Sequence, residues 1–388
     1  MTVAIIGAYQ FDEAGRRLAT LPMAGMALVE RQARCAAMIG AHPIYLLGEG
    51  DDPALAEIVG RLVRDGIDVH AIDGLPAAAD AIALDTPVLL IADGSLADAD
   101  LLARLCDAHV PALAVVADGD GRENYERIDA TARWAGAALI DGKRVGDTAA
   151  MLGSWDPVST LLRRAVQEEA TRVDVGQVPP MLAREAGDAE AAEDILYEAT
   201  ARSPRDWIER FVLLPLEGQA LPQLLSRQIG TDGPADAASI AAIFGSILAL
   251  GGWRWPALIA LLLVAPLTGM AERLERLHAR PIKRARAHRL VLLIGSLVAA
   301  CGLALQLALA THQWGWLLLA GVLVASLVLL DEERGEAPPP WLPRTITLPW
   351  PMLLFALMGR WGTGLAALTL WSAASYVAMR VRRWRTQD

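Results

Sequence analysis

The sequence predicts a chain in two parts. An α/β, doubly wound soluble domain covers residues 1–175, and an all-α domain of six transmembrane helices covers 236–388. A linker with amphipathic juxtamembrane helices, 176–235, joins them. Three observations lead there. Short apolar runs alternate with helical periodicity through the first part. Long apolar runs separated by brief polar breaks fill the second. Charge divides between the same halves: Met1–Arg210 holds 19 Lys+Arg against 35 Asp+Glu, net −16, and the remainder holds 16 against 10, net +6, in a chain of net charge −10. A nucleic-acid binder would show a basic soluble domain, so that class is disfavoured. An acidic domain tethered to a membrane domain with cationic flanks fits the balance.

Val3–Gly7 (VAIIG) reads as a buried strand ending at glycine, followed by a loop with Gly7 and Gly15 and then Leu21-Pro22. Met26–Ala37, Pro53–Asp65, Leu75–Leu84 and Asp98–Ala108 read as helices. Pro43–Gly48, Ile67–Ile72, Pro87–Ala92 and Ala112–Ala117 read as the strands between them. That alternation predicts a largely parallel sheet, with ligands at the carboxyl ends of its strands, where Gly7, Asp93 and Asp118 fall. Trp134–Ile140 and Val158–Ala165 continue the domain. Ala189–Ala201 and Pro204–Leu216 read as amphipathic helices, and Pro222–Ile229 as a segment along a membrane face. The six apolar runs are Ala238–Leu250, Pro256–Leu267, Leu290–Thr311, Trp316–Leu330, Leu348–Met358 and Gly362–Met379. A span of about 30 Å needs roughly 20 residues. The first run therefore needs Asp232–Ala238, and the second must continue through Leu277.

Cations set the expected orientation. Arg273, Arg276, Arg280, Lys283, Arg284, Arg286 and Arg289 lie between the second and third runs, and Arg380, Arg382, Arg383 and Arg385 in the tail. Both segments are expected on the cytoplasmic side of the inner membrane, with the N-terminal domain. The acidic run Asp331–Glu336 shares that side, but acidic residues weigh little in this rule. The start MTVAIIGAYQ has no basic n-region, so insertion is expected from the later segments. Cys35, Cys106 and Cys301 show no CxxC spacing and imply neither a disulfide framework nor a zinc site.

Backbone N–H groups in a glycine loop approach phosphate oxygens closely. Gly7, Gly15, Arg16 and Arg17 lie where such a loop belongs, after the first strand. The order strand, glycine loop with arginine, Leu-Pro, then MAGMALVERQARCAAMIGAHPIYLL resembles the nucleotidyltransferases that activate sugar or alcohol phosphates, over about the first 120 residues. The resemblance implies a CTP-type nucleotide, with Asp93 of LLIADGSL at the position of the Mg²⁺-binding aspartate. The family's lysine after Leu-Pro is replaced by Met23. Asp147 and Asp156 are candidates by location for the second carboxylate. Asp93 has a second reading, as the cap of the helix beginning near Ser95 or Asp98.

Thr268–Leu277 reads TGMAERLERL at a helix end between two apolar runs. It resembles the DGxxAR…GxxxDxxxD signature of CDP-alcohol phosphotransferases, with Gly269, Leu274, Arg276 and Leu277 matching. The metal aspartates fall on Thr268 and Ala271, the later glycine on Ala285, and the last two aspartates on Arg289 and Leu293. All four acids are absent and one position is cationic. An arginine there repels a dication. Glu272 and Glu275 lie one turn apart and read either as substitute ligands or as partners of Arg273 and Arg276. Arg280, Lys283, Arg284 and Arg286 read either as an anchor to anionic lipid or as a phosphate pocket. The arrangement as a whole looks like the bifunctional cytidylyltransferase/phosphoinositol synthases. It implies a degenerate relative with an accessory role in phospholipid head-group synthesis, working as a homodimer or beside an active homologue. The alternative is an active Mg-dependent phosphotransferase.

Overall fold

The computed structural model describes residues 1–388 apart from 49–51, 120–121, 154, 177–179, 201–205, 227–229, 281, 283, 333–338 and 388, and apart from the side chains of 198–200, 221–226 and 383–387. The chain divides into two compact units. One comprises Met1–Ala199 with Leu277–Arg280, the other Thr200–Arg276 with Pro281–Asp388.

The first unit is built on strands β1 (Val3–Gly7), β2 (Pro22–Met23), β3 (Met26–Ala27), β4 (Ile44–Leu47), β5 (Val69–Ile72), β6 (Pro87–Ile91), β7 (Ala112–Ala117), β8 (Glu126–Arg127), β9 (Ala132–Asp141) and β10 (Thr171–Asp174). Its helices are α1 (Leu28–Met38), α2 (Pro53–Arg64), α3 (Gly74–Ala81), α4 (Ala99–Cys106), α5 (Gly142–Ala149), α6 (Pro157–Gln167) and α7 (Ala186–Thr200). The main sheet runs β10-β7-β9-β6-β1-β4-β5, with β8 on β9. Alternation along each strand feeds two cores. Ala4, Ile6, Leu89 and Ile91 pack on one face with Val29, Leu55 and Leu101, while Val3, Ile5, Val88 and Leu90 pack on the other with Leu75, Val145 and Leu161. Apolar side chains on both faces are what a sheet covered by helices on both sides requires.

The expected strands and helices form within a few residues of their predicted ends. The sheet, however, is mixed rather than largely parallel. Ala132–Asp141, of which Trp134–Ile140 was read without an assignment, is a ten-residue strand inserted antiparallel between β6 and β7. Gly136 lets it kink: at φ +81 its missing Cβ would lie 2.7 Å from both Ser95 Oγ and Leu182 Cδ2. Residues 22–27, expected in part to open a helix, instead form the β2–β3 hairpin, turning through Ala24 at φ 50 and Gly25 at φ 79.

The second unit holds α8 (Leu214–Ser226), entered through a π-helical turn at Glu209–Leu213, then α9 (Asp232–Leu250), α10 (Arg254–His278), α11 (Ala285–Thr311), α12 (Gly315–Glu332), α13 (Pro349–Leu357) and α14 (Trp361–Gln387). The segment expected along a membrane face ends α8 through Ser226, and its 227–229 lie outside the described residues. Helix α9 does begin at Asp232, and α10 runs through Leu277 to His278, as their membrane lengths required.

Six spans are not formed. Among the described residues four helices, α9 to α12, are long and apolar enough to cross a membrane. Leu348–Met358 yields only the nine residues of α13, about 14 Å at 1.5 Å per residue. Helix α14 has 27 residues, but its Gly, Thr, Ser, Trp and Tyr dilute the apolar run. Helices α9 and α11 meet through small residues: a Cβ on Gly295 would lie 3.1 Å from Ala242 Cβ, and one on Gly302 would lie 2.9 Å from Leu250 N. Ser246 Oγ lies 2.6 Å from Ala242 O and 2.7 Å from Gly295 O. Close backbone approach of this kind is the usual basis of helix packing in lipid.

Candidate functional site

In the first unit, the carboxyl ends of β1 and β6 bring together Gly7 and Asp93. A Cβ on Gly7 would stand 2.8 Å from Asp93 N, so only glycine allows the two strand ends to approach. The Asp93 carboxylate is buried; Oδ2 accepts from Gln10 N at 2.8 Å, and Oδ1 has no hydrogen-bond partner among the described residues. Burial pushes this acid up to about 7, against the opposing pull of the Gln10 and Tyr9 N–H groups and the Arg17 charge. Asp93 is not a helix cap. That role belongs to Asp98, which accepts from Leu101 N at 2.8 Å to open α4.

The glycine loop is closed on itself. Arg16 is held by Asp12, with Nη2 to Oδ2 at 2.9 Å and its backbone N to Oδ1 at 2.7 Å. Arg17 is buried, pairs through Nε with Asp52 at 2.7 Å, donates to the Ala8 carbonyl and lies 4.9 Å over the Phe11 ring. Gly15, at φ +75, faces open space. Met23 is buried, and the neighbouring Ala24 N donates to Glu193 Oε2 of α7 at 2.9 Å. Tyr9 OH donates to Asp156 Oδ2 at 2.8 Å; burial first, and then the Asp156 charge, raise that phenol above its ordinary value. Asp156 caps α6 through Ser159 N, while Asp147 sits 3.7 Å from Arg164.

Sequence reasoning missed what covers Asp93. Residues Met181–Ala183 cross the turn after β6, with Leu96 N donating to Met181 O and Ala183 N to Gly94 O, both at 2.9 Å. Gly94 at φ +76 is the signal that was available: its missing Cβ would lie 2.1 Å from Ala183 O. Gln32 Nε2 ties the same turn to α1 through Ala92 O at 2.9 Å and Ser95 O at 2.7 Å.

The second unit contains a cavity of about 730 Å³. Thr268, Glu272, Glu275 and Arg276 line it from α10, and Ala285, Arg286, Arg289 and Leu293 from α11. Spacings of four and three along 268, 272 and 275, and of three and four along 286, 289 and 293, put most of each set on one helix face. Thr268, Ala285, Arg289 and Leu293, four of the positions where the phosphotransferase signature carries functional residues, thus share one wall. Gly269 and Ala271 are not on it. Ala271 is fully buried with Ala235 and Ile282, and a Cβ on Gly269 would fall 1.8 Å from Oε1 of the buried Glu217. Thr268 Oγ1 donates to Val264 O at 2.8 Å, and Glu275 Oε1 accepts from Ile282 N at 3.4 Å. Glu217, Asp331 and Arg344 were not anticipated here, because the fold brings them from other helices and from a loop; Asp331 and Arg344 line the cavity, as does His288 of α11.

The basic run is divided. Arg280 belongs to the first unit, where it pairs with Asp65 at 2.7 Å, and so does not serve as a cavity cation. Lys283 lies outside the described residues. Arg284 is exposed, takes φ +58 ahead of α11 and is absent from the cavity wall. Arg286 and Arg289 are exposed, line the cavity and have no hydrogen-bond or ion-pair partner among the described residues. Among the described residues no group of three or more His, Cys, Asp or Glu side chains is placed to hold a metal ion.

No protein-family model matches the chain, and no curated protein does. Solved structures match its N-terminal half, nucleotidyltransferases among them. A protein assigned as a glucose-1-phosphate thymidylyltransferase from Bacillus anthracis is 12% identical, covering 50% of this chain and 95% of that one, with a TM-score of 0.40. The CTP:phosphocholine cytidylyltransferase from Streptococcus pneumoniae is 14% identical over 50% and 99% of the two chains, with a TM-score of 0.37. A 4-diphosphocytidyl-2C-methyl-D-erythritol synthase is 12% identical over 50% and 97%, with a TM-score of 0.37.

Proposed function

We propose that this is a multi-pass membrane protein whose helical unit binds an anionic, phosphate-bearing head group. In this reading it is a catalytically degenerate relative of the CDP-alcohol phosphotransferases, with an accessory role in phospholipid head-group synthesis. One observation carries the reading. Arg286 and Arg289 stand one helical turn apart on the wall of a large cavity, both without a partner among the described residues. Like charges at that spacing repel each other, and a phosphate bridging them turns the repulsion into two charge-assisted hydrogen bonds. Arg289 also stands where the family places an acid, which favours an anion over a dication. The α/β unit, in this reading, is a nucleotidyltransferase-like module. Its CTP-type site keeps Gly7 and Asp93 but has turned Arg16 and Arg17 to internal partners. The cations at the α10–α11 connection and in the tail support a reading in which both, with the α/β unit, lie on the cytoplasmic side. Pairing in a homodimer or with an active homologue follows the family resemblance.

The test uses purified full-length protein in a non-ionic detergent, with dihexanoyl phosphatidylglycerol as the probe. The Arg286→Ala/Arg289→Ala variant is expected to raise Kd about tenfold or more. No CMP release from CDP-diacylglycerol is expected with Mg²⁺ and an alcohol acceptor present. CMP release that Glu272→Gln abolishes would instead establish the active phosphotransferase.

A further inference from the structure

One stretch of the first unit comes from far along the chain. Leu277–Arg280 ends and follows α10, yet it belongs to the α/β unit. Leu277 and Ala279 are buried, and Ala279 joins the core of Ala4, Ile6 and Leu89. Three polar ties hold the stretch in place. The Arg31 guanidinium of α1 donates to Leu277 O. His278 donates through Nε2–H to Ala24 O at 3.1 Å, since a carbonyl can only accept. Arg280 pairs with Asp65 at 2.7 Å.

The tie at Ala24 bears on Asp93 through a short series of contacts. Ala24 turns the β2–β3 hairpin and is gripped from both sides, its N–H by Glu193 of α7 at 2.9 Å and its carbonyl by His278. Leu28 N donates to Leu21 O at 2.9 Å and closes the base of the hairpin. Leu21 and Leu28 pack in one small apolar cluster with Ala183 and Ala189. Ala183 belongs to the segment that crosses over Asp93 and donates to Gly94 O. Hairpin, crossing segment and α7 thus form one cover on the acid, fastened at Ala24. The fastening is strained. Ala24 at φ 50 and Ala279 at φ 46 both take the left-handed conformation without glycine's freedom. Such strain persists only while the surroundings over-determine it, and it gathers at clamps and switches. Cutting the ties relaxes both alanines as it frees the cover.

We propose that Leu277–Arg280 is an internal latch on the α/β unit. Docked, it keeps the hairpin and the Met181–Ala183 segment closed over Asp93; released, it lets them open and bares the strand ends at Gly7 and Asp93. Regions that open locally are those with little buried apolar surface to give up, and the buried apolar side chains of the latch are Leu277 and Ala279. The latch gates the end of the sheet that the proposed function assigns to a CTP-type ligand, and it is independent of the anion site in the second unit.

The experiment labels carboxyl groups of the full-length protein in non-ionic detergent with a water-soluble carbodiimide and glycine ethyl ester, and follows each site by mass spectrometry. In the wild type Asp93 is expected to label about tenfold or more slowly than the exposed Glu57. His278→Leu/Arg280→Ala removes one donor and one charge, and Asp65 keeps Arg34 as a partner at 2.8 Å, so no acid is stranded. With two ties gone, Asp93 is expected to label about tenfold faster than in the wild type, and the amides of Met23–Leu28 to exchange hydrogen faster in step. The amides of Val3–Gly7 are expected to stay within about twofold of wild type, which also shows that the variant is folded. His278→Gln/Arg280→Lys keeps a donor and a charge, and is expected to label within about threefold of wild type. Four results overturn the latch: wild-type Asp93 labelling as fast as Glu57, unchanged labelling in His278→Leu/Arg280→Ala, loss of protection that reaches Val3–Gly7 equally, or the conservative pair labelling as fast as the disruptive one. No nucleotide is used, so failure of the latch leaves the reading of the α/β unit standing.

Discussion

Asp93 is a carboxylate in a place built for a neutral group. Its Oδ1 is orphaned, Gly7 and the Met181–Ala183 segment close around it, and burial lifts it to about 7. Between the ordinary carboxylate value near 3.9 and that raised value, the folded state holds a proton that the unfolded state has released. Stability therefore falls as pH rises through this window and stays lower above it. The lowered acids Asp12 and Asp118 act in the opposite sense, but below the window. Asp93→Asn, a neutral group of the same shape, is expected to flatten the loss of thermal stability between about pH 4 and pH 7. An unchanged slope in the variant would show that Asp93 is solvated. The same residue shows what a sequence can and cannot say at this scale. Its position at a strand end was legible. Its isolation was not, because the covering residues lie far along the chain and are held by backbone hydrogen bonds, which carry no side-chain signature.

At the scale of elements, hydropathy marked every long helix of the second unit, and the length needed to cross a bilayer correctly demanded the extensions of α9 and α10. It overreached at α13, where apolar composition alone could not reveal that the helix stops after nine residues. It was silent on pairing. Helices α9 and α11 pack through Gly295, Gly302 and Ser246, and in lipid that contact depends on close approach rather than on hydrophobicity. Gly302→Val places branched carbon against Leu250 N and Ala249 C, at 2.9 and 3.0 Å from the first added atom. Overpacking of this kind costs about 1–3 kcal/mol, so the apparent melting temperature in detergent is expected to fall by several degrees. A variant as stable as the wild type would place this helix contact elsewhere.

For the whole molecule, the charge asymmetry predicts where the ends lie. Reporter fusions before Val3 and after Gln387 are expected to report the same, cytoplasmic side, with protease protection limited to segments between the spans. Opposite sides would mean that α14 crosses the membrane as a fifth span. By itself the sequence determined the division into an α/β half and an apolar helical half and the order of alternating strands and helices. These are local properties, written in periodicity, composition and spacing. Only the tertiary structure decided that β9 enters the sheet antiparallel, that Arg16, Arg17 and Arg280 are engaged by Asp12, Asp52 and Asp65, and that Arg286 and Arg289 face a cavity shared with His288. Each of these depends on which distant carboxylate, hydroxyl or backbone group arrives beside a residue. Side-chain chemistry fixes what a cation or an imidazole can do, but the fold fixes which partner it meets.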